Sequence, residues 1–145
     1  MNTSMGLLLG GVLPAFAFGI GALFQKQGNL VGIGQSGYLV FFALGILVMA
    51  AVAFLLFAER GVSLEAGLYA TAHGLCFGVG FVALAMGLTV YSLPIAKLVP
   101  LANMSTLVSV VLGLWIFAEH TKLNVTYLAV GAMLIVVGGI LVARA

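Results

Sequence analysis

An all-α protein crossing a membrane five times is the fold class this chain predicts, and three observations predict it. Residues 1–25, 27–58, 66–96, 98–118 and 123–143 contain no Asp, Glu, Lys or Arg. Each run is long enough for a helix through ~30 Å of hydrocarbon, which takes about 20 residues. Hydrophobic residues make up 64% of the chain and charged residues 6%, against roughly 25% charged in ordinary globular proteins. The apolar runs are continuous, whereas strands of a membrane β-barrel alternate apolar and polar positions. Five spans use nearly all of the 145 residues, so the chain reads as one transmembrane domain, 1–145.

Helix 1 is expected over about residues 6–24. Pro14 lies inside it and is tolerated because neighbouring groups re-satisfy the freed carbonyl. The polar stretch Gln25, Lys26, Gln27, Gly28 and Asn29 follows, and then a Gly-rich linker through Gly37. Helix 2 is expected over about 38–58. A short polar connection leads to helix 3, about 64–90, with Ser63 as N-cap and Glu65 in the first turn, where a carboxylate suits the helix dipole. Pro94 disfavours helix at the residue before it, so helix 4 is placed at about 94–118. Pro100 removes a backbone hydrogen bond and should kink that helix. Helix 5 is placed at about 124–143.

The glycine pairs Gly6/Gly10 and Gly74/Gly78 are four apart, a spacing that lets helix backbones approach closely. Pro14, Pro100, Gly74 and Gly78 are the candidate hinge and packing positions. A faint internal echo also runs through the chain. Leu56, Phe57, Ala58 and Glu59 end helix 2, and Ile116, Phe117, Ala118 and Glu119 end helix 4 sixty residues later. The lone Cys76 reads as a small packing residue, because one cysteine builds neither a disulfide nor a thiolate metal site within a chain.

Five spans place the termini on opposite sides. One side carries the N-terminus, Arg60 and Lys122; the other carries Lys26, Arg144 and, if exposed, Lys97. Orientation is normally set by a Lys/Arg excess in cytoplasmic loops, and here that excess is close to nil. Insertion in both orientations, with pairing into an antiparallel homodimer, is therefore expected. Such a pair reproduces the inverted repeats that alternating-access transporters use.

The run from Tyr91 through Pro94, Lys97, Pro100 and Asn103, the segment 111–119 ending at Glu119, and the Gly-rich segment 131–142 resemble one repeat of the EamA-like drug/metabolite transporter superfamily. The matching positions are Pro100, Glu119, Gly131, Ile135 and Gly138. Most members carry ten helices as two inverted repeats, so the resemblance implies a dimer or a partner half. The related small multidrug resistance proteins use an acidic residue in helix 1. Helix 1 here has none, which disfavours proton-coupled export of cationic drugs by that route.

An ionisable group at membrane depth is a functional hypothesis by default. Lys97, between Pro94 and Pro100, would favour an anionic ligand at a helix start; snorkelling to the headgroups is its ordinary reading. Asn103, His73 and Tyr91 complete the candidate substrate-binding set. Packing or helix-to-helix hydrogen bonding is the ordinary reading of Asn103 and His73. Gln25 and Lys26 read either as a cavity mouth or as an interfacial helix end. Glu59, Arg60, Glu65, Glu119 and Lys122 read as paired, solvated interfacial charges, and Trp115 as part of an aromatic belt. Phe16, Phe18, Phe77 and Phe81 read as core packing or pocket wall.

No catalytic constellation, metal-ligand cluster or phosphate loop is present, so neither an enzyme nor a cofactor is expected. A net charge of +2 gives no electrostatic footprint for nucleic acid. The expected function is secondary transport of a small polar metabolite (an amino acid, organic anion or sugar). The expected partners are the bilayer, the substrate and a second copy, and the expected location is the inner (plasma) membrane. The alternative is a non-transporting membrane subunit or one half of a heteromer.

Overall fold

A computed structural model describes residues 3–59, 61–118, 121 and 123–145. Among them, five helices are long and apolar enough to cross a membrane: Ser4–Leu30, Gln35–Leu56, Leu64–Thr89, Ile95–Ile116 and Val125–Arg144. They are called the first to fifth spans. Their lengths of 27, 22, 26, 22 and 20 residues correspond to about 30–40 Å at 1.5 Å per residue, enough for the hydrocarbon layer. Large apolar side chains along every span are exposed, among them Leu55, Val79 and Trp115. Surface of that kind is unfavourable in water and ordinary against lipid.

The chain forms two compact units, Met1–Ser92 and Leu93–Ala145. In the first unit, the third span packs against both the first and the second. Phe42 and Phe81 bridge the second and third spans with ring centroids 4.5 Å apart. Tyr38 stacks on Phe42 at 5.9 Å, and Phe81 continues to Phe77 at 6.1 Å. These separations lie within the 4.5–7 Å range in which aromatic pairs attract beyond the area they bury.

The first span runs past its expected end at 24 and stops at Leu30. Gln25, Lys26 and Gln27 are polar, but their helix propensities are good, so polarity alone does not end a helix. Geometry ends it. Gly32 has φ +94°, its N–H donates to the Asn29 carbonyl at 3.2 Å, and the Ile33 N–H donates to the Gly28 carbonyl at 3.2 Å. That bond pair is the Schellman stop, and the positive φ needs glycine. The connection to the second span shrinks to residues 31–34, and Gly37 lies inside the helix.

Near its start the first span contains a π turn, Leu8–Val12, just before Pro14. Proline cannot bond to the carbonyl four residues back, and its ring crowds that carbonyl. The wider turn relieves the crowding, as π-bulges do. Ser63 caps the third span as expected, its Oγ accepting from the Ala66 N–H at 3.1 Å.

In the second unit the fourth span is two segments, Ile95–Ala102 and Ser105–Ile116. The expected kink at Pro100 is instead a break at Asn103 and Met104, whose ψ values of −12° and −13° flatten the helix. Bonds three residues back take over there, Met104 to Leu101, Thr106 to Asn103 and Leu107 to Met104. The break seats Met104 against the buried Gly139 of the fifth span; a Cβ on that glycine would lie 2.8 Å from the Met104 sulfur. Asn124, expected as the first residue of helix 5, is its N-cap, accepting from the Thr126 and Tyr127 N–H groups at 3.1 and 3.3 Å.

The other expected packing glycines behave differently. A Cβ on Gly6, Gly10, Gly74 or Gly78 would meet open space. Gly74 and Gly78 line an apolar groove of about 570 Å³, with Leu39, Val82 and Met86 among the other walls.

Candidate functional site

One end of the first unit holds a group of polar side chains from three helices. The last turn of the first span, the start of the second and the last turn of the third meet there. A cavity of about 310 Å³ is lined by Lys26, Asn29, Leu30, Leu88 and Thr89, at the small end of the range for ligand pockets. Among the described residues of this unit, the buried positions are Gln25, Ala85 and Gly87. Each lies within one helical turn, in sequence, of a cavity-lining residue. Ala85 and Gly87 are small enough to let the helices approach at this end.

The hydrogen bonding at Thr89 is directional. Its hydroxyl donates to the Ala85 carbonyl at 2.8 Å and accepts from the Gln35 amide Nε2 at 3.0 Å. The first bond is the usual back-bond of a helical threonine. The second ties the start of the second span to the end of the third. A hydroxyl has one proton and two lone pairs, so Thr89 keeps a single acceptor position to offer a ligand.

Gln25 and Asn29 are one turn apart on the same helix face. Gln25 is 1% exposed. The Oε1 and Nε2 atoms of Gln25 and the Oδ1 and Nδ2 atoms of Asn29 are buried without a hydrogen-bond partner among the described residues. Leaving a buried polar group unpaired costs about 1–3 kcal/mol, so these two carboxamides are the least satisfied groups in the unit. They lie beside the cavity, with Gln25 about 6 Å farther along the first span from the helix end. Asn29 contributes to the cavity wall while its amide atoms sit beneath the surface. A side-chain rotation is required to bring that amide into the space.

The electrostatics are one-sided. Residues 1–58 contain no acid, and neither do 66–118. Glu65 stands in the first turn of the third span, about 36 Å from Thr89 along the helix. Glu59 follows the far end of the second span. Lys26 therefore faces the cavity without a carboxylate at its own end of the unit.

The sequence-derived candidates distribute otherwise. His73 packs edge-on against Phe77, centroids 4.7 Å apart and planes at 80°. It lies about 24 Å along the third span from Thr89, outside the cavity. Tyr91 is exposed, two residues beyond Thr89. Lys97 and Asn103 belong to the second unit. Lys97 is half-buried in the first turn of its segment. Asn103 is the exposed C-cap of that segment rather than a residue two turns inside a continuous helix. Arg60, Glu119, His120 and Lys122 lie outside the described residues, and with them part of the interfacial charge pairing and the family-like position Glu119. Asn29, Gln35 and Thr89 were not legible as site residues. The usable signal was the Gln25/Asn29 spacing of four, which puts two amides on one face of any helix that continues past Phe24.

Comparison with known proteins finds no family model, no curated protein and no solved structure that matches the chain.

Proposed function

We propose that this protein is a secondary transporter of a small polar metabolite, of the drug/metabolite transporter type, in a cell inner membrane. It works by alternating access across an antiparallel homodimer. The observation that carries the reading is the cavity lined by Lys26, Asn29 and Thr89, together with Leu30 and Leu88, where three membrane-length spans meet. Ionisable residues within membrane helices are costly and stand as functional-site hypotheses by default.

Two features support the assembly. If every span crosses, the basic residues divide as Lys26, Lys97 and Arg144 against Arg60 and Lys122, a bias too small to enforce one orientation. Inverted-repeat transporters place their site at a pseudo-two-fold axis, and an oppositely inserted copy of these five spans would reproduce that arrangement. The family affiliation rests on the motif residues Pro100, Gly131, Ile135 and Gly138 of the second unit, with Glu119.

Reconstitution tests the reading. The purified chain, alone in proteoliposomes on a solid-supported membrane, is challenged with panels of amino acids, hydroxy acids and sugars. A saturable response to one class is expected. Silence to all of them, with the protein correctly inserted, would favour the non-transporting subunit or half-transporter instead.

A further inference from the structure

We infer that the cavity at the joined ends of the first, second and third spans is a binding site for a small hydroxylated carboxylate, such as a hydroxy acid or sugar acid. The inference rests on the transporter reading only for its purpose; the binding chemistry stands by itself.

Three properties of the wall select that ligand. Among the described residues, Lys26 is the only basic or acidic side chain of the lining, and the nearest acids on the same helices stand at the opposite end of the unit. The wall therefore favours an anion and offers no counter-charge to an ammonium, which disfavours a zwitterionic amino acid relative to a hydroxy acid. The Thr89 hydroxyl proton is committed to the Ala85 carbonyl, while Gln35 occupies one lone pair. What Thr89 has left is an acceptor, matched to a ligand O–H. The Asn29 carboxamide, unpartnered at both its oxygen and its nitrogen, receives a hydroxyl and donates to an oxygen once its side chain turns into the cavity. Leu30 and Leu88 leave two apolar walls for a short carbon skeleton.

A carboxylate could be mimicked by the phosphate of an anionic lipid, since Lys26 stands near the end of a membrane span. The test separates the two. L-lactate is the probe, titrated calorimetrically into the full chain in phosphatidylcholine nanodiscs. Lactamide removes the charge, and propionate removes the hydroxyl. Binding of lactate is expected. Lactamide should bind about tenfold or more weakly, the size of one charge-assisted hydrogen bond, and propionate several-fold more weakly. Lys26→Gln should weaken lactate binding by as much as lactamide is weakened in the native chain, Lys26→Arg should retain it, and Asn29→Leu should erase the preference for lactate over propionate. Retention by the arginine variant shows that a misfolded chain is not the cause.

Equal binding of lactate and lactamide would overturn the assignment, as would no lactate heat, or unchanged lactate binding in Lys26→Gln. Loss of lactate binding when phosphatidylglycerol is added would make this a lipid site instead. The two readings fail separately. Lactate binding with no transport of any solute would remove the transporter and leave the site. Transport of a neutral sugar by a chain blind to lactate would do the reverse.

Discussion

A carboxamide buried with neither polar atom paired raises the energy of a fold, and Gln25 is such a group at 1% exposure. The same shape without the amide removes that cost. Gln25→Leu is therefore expected to leave the thermal midpoint of the purified protein unchanged or raised, by up to about 1–3 kcal/mol in stability, while transport falls. A loss of stability instead would mean that the amide is held by a partner that the fold needs. Trading stability for a functional group in this way is common at working sites. At this scale the sequence was half legible. Lys26 and Gln25 were visible as polar residues near a helix end; Thr89 was not, because its role comes from Gln35, 54 residues away.

Helix ends here are decided by backbone geometry more than by polarity. The first span passes through the five-residue polar stretch expected to lie beyond it and stops where Gly32 takes a φ of +94°. An L side chain in a left-handed conformation costs about 1–2 kcal/mol, so Gly32→Ala should lower stability by that amount, measurable as a reduced melting midpoint. The same change at Gly34, whose φ is −71°, serves as a control of small effect. Ser63→Ala removes the cap of the third span and is expected to cost about 1 kcal/mol. In the fourth span, the break at Asn103 and Met104 sets a different requirement on the fifth. Gly139 faces the Met104 side chain. That flexible chain can retreat from one methyl, so Gly139→Ala should be nearly neutral, whereas Gly139→Leu should cost about 1–3 kcal/mol by overpacking. Equal tolerance of both would show that this contact does not hold the two helices together. Pro100 was expected to kink the fourth span, yet it lies inside the segment Ile95–Ala102. Its position did not give the site of the break, because the flattened turn depends on how residues 101–107 close their bonds after the proline.

For the whole molecule the open question is orientation. With every span crossing, all three acids (Glu59, Glu65 and Glu119) fall on one side, while Lys26, Lys97 and Arg144 fall on the other. Acids contribute little to topology, so the remaining bias is three basic residues against two. C-terminal fusions to a reporter active only in the cytoplasm, and to one active only outside it, should give comparable signals. Adding two lysines after Arg144 makes the division five against two and should move the population toward one orientation and lower transport. Signal from a single orientation in the native chain would end the antiparallel-dimer proposal and direct the search to a partner half. The number of candidate spans and their apolar character were determined by the sequence alone, because a bilayer-length run without charge has few other outcomes. Tertiary structure decided where the polar groups meet. Gln25, Lys26 and Asn29 share the end of one helix, and only the pairing of helix ends, closed by the Gln35–Thr89 hydrogen bond and the tight Gly32 turn, brings Gln35 and Thr89 to the end that carries them.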